Sequence, residues 1–216
     1  MDFARARDMM VESQVRTADV TDPRILHAMR TLPRERFVPA AKRTLAYGDL
    51  EIEVAQRRWL MRPRDLAKLV QSIAPQQHER ALELAGATGY GAAVLASCCK
   101  HVISLDPEGD LSFAAQAALE SAGVRNAKTV STPASEGWQD EAPYDVIMLN
   151  GAAEIVPDNW IAQLAPGGRL GVIVRQGPAG AARIYTRAAD AVAYRTVFDA
   201  APPIAPGLQR KQGFVF

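Results

Sequence analysis

The sequence predicts an α/β fold, a mostly parallel sheet with helices on both faces and a helical extension at its N-terminus. Three observations predict it. Short apolar runs at 81–85, 102–106, 127–131, 144–150 and 169–174 alternate with helical stretches at 91–99, 111–122 and 157–164. The segment Ala81-Leu-Glu-Leu-Ala-Gly-Ala-Thr-Gly-Tyr90 runs from a strand through a Gly-containing turn into a helix, and His101-Val-Ile-Ser-Leu-Asp106 follows as a second strand ending in an acid. That order outlines a nucleotide-binding βαβ unit, in which the turn offers backbone N–H groups and the acid holds a ribose hydroxyl. Finally, a chain of 216 residues that is 48% hydrophobic and 23% charged has enough apolar surface for one such domain with an appended part.

The elements follow in order. Residues 1 to 47 read as helical. Asp22-Pro23 places a cap before a proline at the first helical position, and Ile25, Leu26, Met29 and Leu32 repeat at helical spacing until Pro33. Leu45-Ala-Tyr-Gly-Asp49 reads as a turn, and Glu51-Ile-Glu-Val54 alternates as a short strand. Leu66, Leu69, Val70 and Ile73 give the next helix one apolar face, which Pro75 ends. Beyond the alternating core, 183–187 and 193–198 read as an antiparallel hairpin, Pro202-Pro-Ile-Ala-Pro206 as a rigid connector, and Gly213-Phe-Val-Phe216 as a further strand. The expected organisation is a single domain, with a helical cover over 1–63, a Rossmann-like core over 64–174 and a C-terminal hairpin and strand over 175–216.

Charge and composition exclude several classes. A formal net charge of +1 creates no field for nucleic acid or an anionic membrane. No apolar run approaches the roughly 20 residues of a membrane span, and the polar N-terminus lacks a signal-peptide core, so a cytoplasmic location is expected. Cys98 and Cys99 are adjacent and read as buried thiols; no spaced Cys/His set suggests a metal site. His27, His78 and His101 fall at packing, turn and strand-start positions. Trp138 and Trp160 read as core or edge aromatics.

The N-terminal blocks Met10-Val-Glu-Ser-Gln-Val-Arg16, Ile25-Leu-His-Ala-Met29, Pro33-Arg-Glu-Arg-Phe-Val-Pro39 and Leu45-Ala-Tyr47 resemble the protein-L-isoaspartate O-methyltransferase family. So do Glu136-Gly-Trp138, Ala142-Pro-Tyr-Asp145, Gly151-Ala-Ala153 and Leu164-Ala-Pro-Gly-Gly-Arg-Leu170, in the family's order. The resemblance implies the class I methyltransferase fold, a seven-stranded sheet with one antiparallel strand, and S-adenosylmethionine as cofactor. It also implies a protein or peptide acceptor: methylation of an isoaspartyl carboxyl, whose ester collapses to a succinimide. A carboxylate is already a nucleophile, so alignment and water exclusion carry such a transfer.

Three departures from the family's pattern bear on function. Its acceptor loop reads Gly-Gln-Thr-Ile-Ser-Gln-Pro, where this chain has Arg57-Arg-Trp-Leu-Met-Arg-Pro63. Met61 takes the place of the catalytic-site serine, and a thioether donates no hydrogen bond. Trp59, Leu60 and Arg62 are the matching substrate-side positions, with Arg57 and Arg58 adding charge that either attracts an acidic acceptor or is simply solvated.

The cofactor loop is expected as Gly-x-Gly-x-Gly and is Ala85-Gly86-Ala87-Thr88-Gly89, so two glycines have gained a Cβ. Either the turn changes shape or it packs against the protein itself. Glu83 and Gly89 keep their places, as does Asp106 at the ribose position, although Asp106-Pro107 also suits a plain turn. At the adenine end the family's Gly-Asp is Thr132-Pro133, and proline brings neither carboxylate nor N–H. Asn150, ending a strand on the ligand side of the sheet, is a pocket candidate.

Each lost hydrogen bond costs on the order of 1–3 kcal/mol in ligand binding. Three at one site predict that S-adenosylmethionine is held weakly or not at all. The expectation divides three ways: an active isoaspartyl methyltransferase, a catalytically silent binding or regulatory module, or a methyltransferase for another acceptor.

Overall fold

The computed structural model describes residues 2–188 and 191–210. A seven-stranded sheet runs in the order β5-β4-β3-β6-β7-β8-β9. Its members are β3 (Arg80–Leu84), β4 (His101–Asp106), β5 (Ala127–Ser131), β6 (Tyr144–Ala153), β7 (Leu164–Gln176), β8 (Ala179–Arg187) and β9 (Val192–Asp199). Strands β3 to β7 are parallel, β8 runs against β7, and β9 runs against β8, so β8 alone points the other way. This is the class I methyltransferase sheet with its one antiparallel strand. The tail strand expected at Gly213-Phe-Val-Phe216 lies outside the described residues.

The helical extension forms as expected, with α1 (Phe3–Met10) running through one π turn over Val11–Val15. Helix α2 (Pro23–Thr31) starts where Asp22 accepts from the backbone N–H of Arg24, with Pro23 in its first turn. Helix α3 (Pro63–Ile73) ends on Ala74 in a left-handed conformation. Its face of Leu66, Leu69, Val70 and Ile73 is buried, and Ile73 lies so close to Gly171 of β7 that any Cβ there would overlap it. A glycine in a strand thus sets the distance from helix to sheet.

Helices α4 (Tyr90–Ala96), α5 (Gly109–Ser121) and α6 (Asp158–Ala162) connect the parallel strands. Cys98 and Cys99, just past α4, are buried free thiols whose pKa values burial raises to about 11 and about 12. Trp160 is fully buried and donates from Nε1 to the Ala134 carbonyl, as a core tryptophan should.

One element was not anticipated. The stretch expected to be an acceptor loop contains a strand, β2 (Arg58–Leu60), paired antiparallel with β1 (Ile52–Ala55) through a turn at Gln56 and Arg57. Arg57 has φ 55, which lets so short a connection close.

Candidate active site

The sheet reverses its strand order at β3, with β4 on one side and β6 on the other, and ligands of open α/β sheets bind at the carboxyl ends of strands around such a point. Those ends carry the residues singled out from the sequence: Glu83 on β3, the 85–89 loop, Asp106 on β4, Pro133 beyond β5 and Asn150 on β6.

The loop keeps a tight turn despite its alanines. Ala85, Ala87 and Gly89 have φ 56, 50 and 88, so two L-residues occupy the left-handed region. The Gly86 N–H donates to the Leu105 carbonyl at 2.8 Å, and the Gly89 N–H donates to the Gly86 carbonyl at 2.9 Å. Gly86 itself is needed for room, because a Cβ there would collide with the Ser104 hydroxyl and the Glu83 carboxyl. The turn is tight, and the methyl groups of Ala85 and Ala87 are almost wholly buried.

Glu83 is fully buried, and the Ser104 hydroxyl donates to its Oε2 at 2.7 Å. Burial pushes its pKa up to about 8. Its Oε1 lies against Gly91, where a Cβ would overlap it.

Asp106 is 2% exposed. Arg58 Nε stands 3.0 Å from its Oδ2 and 3.2 Å from its Oδ1, and the Glu108 N–H donates to Oδ1 at 3.1 Å. Burial raises the Asp106 pKa, while the Glu108 N–H and Arg58 pull it back. Arg58 also lies 3.6 Å from Glu108. Arg58 reaches inward because side chains alternate along β2: Arg58 and Leu60 share the buried face and Trp59 the other. In the sequence Arg58 read as part of an arginine cluster that either attracts an acidic acceptor or is simply solvated, and its contact with Asp106 was missed. The signal that could have exposed it is the alternation at Glu51-Ile-Glu-Val54, followed three residues on by a second short strand.

The rest of the former arginine cluster is dispersed. Arg62 donates to both Glu51 oxygens, at 2.9 and 3.0 Å, and lies 3.4 Å from Asp65, so its charge is neutralised at the base of the hairpin. Leu60 and Met61 are 1% and 2% exposed and form part of the core. Met61 is tethered through its carbonyl, which accepts from fully buried Arg34 at 2.7 Å. Asn150 ties the sides together, donating to the Ala85 carbonyl at 3.1 Å and reaching the Trp59 carbonyl at 3.5 Å.

A strap closes the top. Residues 202–208, which begin with the expected rigid connector Pro202–Pro206, run beside the end of β6. The Ala152 N–H donates to the Pro203 carbonyl, the Ala205 N–H to the Ala152 carbonyl and the Glu154 N–H to the Leu208 carbonyl. Gly151, at φ 127, admits this approach. The cavity left between Arg58, Trp59, Ala85, Asn150 and Ala205 measures about 10 Å³. Pro133 is exposed and precedes a short 3-10 turn over Ala134–Glu136, at the open side of the same edge.

Comparison with known proteins accounts for this arrangement of elements. The family model for protein-L-isoaspartate(D-aspartate) O-methyltransferase matches residues 5–200. The chain belongs to this family. A Syntrophobacter fumaroxidans protein-L-isoaspartate O-methyltransferase 1 is 36% identical over 174 residues, covering 81% of each chain. A Rhodopseudomonas palustris protein-L-isoaspartate O-methyltransferase 1 is 36% identical over 168 residues, covering 78% of this chain and 69% of its own.

Among solved structures, a protein-L-isoaspartate O-methyltransferase superposes with a TM-score of 0.81 at 22% identity, covering 95% of this chain and 67% of that one. A Plasmodium falciparum protein described as a beta-aspartate methyltransferase, in complex with S-adenosyl-L-homocysteine, superposes with a TM-score of 0.77 at 15% identity, covering 92% and 97%. These two likenesses establish the fold. Among the described residues no helix is long and apolar enough to cross a membrane, and no group of three His, Cys, Asp or Glu side chains could hold a metal.

Proposed function

We propose that this chain is an isoaspartate methyltransferase family protein whose donor site is self-occluded, so that it methylates isoaspartyl carboxyls far more slowly than a member with an open cleft. The observation that carries this reading is Arg58 seated on Asp106. S-adenosylmethionine is the family's methyl donor, and the residues here do not fit it as they stand. Asp106, the acid matching the ribose position, is buried against a guanidinium. Ala85 places a buried methyl group beside Arg58, Trp59 and Asn150, where a cavity of about 10 Å³ remains.

On the acceptor side Met61 brings no hydroxyl and is turned into the core. That buried thioether favours a second reading, a silent binding module built on the methyltransferase fold.

Transfer of labelled methyl groups from S-adenosylmethionine to an isoaspartyl peptide tests the proposal. The expected rate is at least tenfold below that of an open-cleft family member measured in parallel. A comparable rate refutes it. Complete inactivity, with no thermal shift at millimolar S-adenosylhomocysteine, favours the silent module.

A further inference from the structure

We infer that Arg58 is a gating residue for the donor cleft, competing with the ribose hydroxyls of an adenosine ligand for the same carboxylate, Asp106. The inference rests on the self-occluded reading above and adds which residue closes the site and how it opens.

Three observations carry it. The contact is specific: one guanidinium nitrogen addresses both oxygens of Asp106, and Glu108 holds the outer edge of the same group. A guanidinium and a vicinal diol both donate hydrogen bonds to a carboxylate, so at this buried acid the two compete for the same acceptor oxygens.

The carrier of Arg58 is also separate from the main sheet. Strands β1 and β2 pair only with each other, so withdrawing their tip breaks no ladder of the seven-stranded sheet. Their base is pinned elsewhere, by Arg62 on Glu51 and by Lys42 Nζ donating to the Glu53 carbonyl at 2.7 Å. A tip that swings on a fixed base is what these contacts allow.

Lastly, the loop behind Arg58 retains the left-handed turn at 85, 87 and 89. The turn stands beside Arg58, which shares a small cavity with Ala85. An intramolecular partner has a high effective concentration, so it holds the acid against a dilute ligand.

Calorimetric titration with S-adenosylhomocysteine tests this in the full chain, reading binding and not turnover. Arg58→Ala is expected to bind at least tenfold more tightly than the unaltered protein. Arg58→Ala combined with Asp106→Asn is expected to lose that gain, because the carboxylate that receives the ribose is gone. Circular dichroism and a melting curve establish that each variant is folded. Should Arg58→Ala not fold, Arg58→Gln carries the same comparison with an expected gain of about threefold, the charge being lost and the packing largely kept.

A folded variant that binds no better than the unaltered chain overturns the inference, leaving the methyl groups of Ala85 and Ala87 as the barrier. A gain that persists with Asp106→Asn overturns it too, since the competition would not be for that acid. Neither result bears on slow isoaspartyl methylation, which is read from the unaltered protein.

Discussion

Arg58 and Asp106, 48 residues apart in sequence, form a buried ion pair in which Nε lies within 3.2 Å of both carboxylate oxygens. Removing one partner of a buried pair strands the other in a poor solvent, at a cost of about 3–5 kcal/mol. Asp106 keeps the Glu108 N–H, and burial already favours its protonated form, so the lower end applies. Arg58→Ala should lower stability by about 3 kcal/mol, and the melting temperature by roughly 6–12 °C. A double-mutant cycle with Asp106→Asn should return a coupling energy above about 1 kcal/mol in urea melts. Additive effects would mean that the two side chains do not depend on each other.

Glu83 makes stability depend on pH in an unusual direction. Its folded-state pKa is raised to about 8 from an ordinary 4.5. Between those values the native state holds a proton that the unfolded chain has released, so stability falls as pH rises through the window. Glu83→Gln cannot ionise and can still hydrogen-bond Ser104. It should abolish that slope and be the more stable protein above pH 8, by a margin of about 5 kcal/mol. Denaturant midpoints at pH 5, 7 and 9 decide it; parallel pH profiles for the two proteins would rule it out.

Gly91 should tolerate no side chain. A Cβ there would overlap Glu83 Oε1, which has nowhere to retreat because Ser104 holds the other oxygen. Gly91→Ala should cost about 1–3 kcal/mol by overpacking. Gly123, at φ 80 with nothing within 4 Å of an added methyl group, is the control for backbone strain without collision. Gly123→Ala should cost about 1 kcal/mol. Equal effects at the two sites would refute the packing explanation.

Ala85→Gly with Ala87→Gly should leave stability nearly unchanged. Each substitution relieves left-handed strain of roughly 1–2 kcal/mol but gives up a buried methyl worth about 0.8 kcal/mol and adds freedom to the unfolded chain. The pair alone should not create tight S-adenosylhomocysteine binding, because Arg58 still holds Asp106. Scanning calorimetry and titration of the same sample check both parts, and tight binding by this double variant would contradict the second.

The parallel strands were readable because each is a short apolar run, and buried strands between helices require that composition. The loop was readable because a short apolar run passes into small residues and glycines ahead of a helix, the pattern of a strand-to-helix turn. Arg58 was not. In one dimension it is one of several arginines beside a tryptophan, and such clusters are usually solvated. Its direction depends on β2 pairing with β1, a three-residue strand too short to announce itself by periodicity.

The sequence by itself determined the fold and the family, because these follow from local patterning and from the order of motifs. Tertiary structure decided which side chains meet at the carboxyl ends of the strands. The register of the β1–β2 hairpin turns Arg58 inward onto Asp106, and the strap over residues 202–208 covers the end of β6. The Arg58–Asp106 pair and the strap on β6 each join segments far apart in the chain, and which partner each segment meets is fixed only in the folded structure.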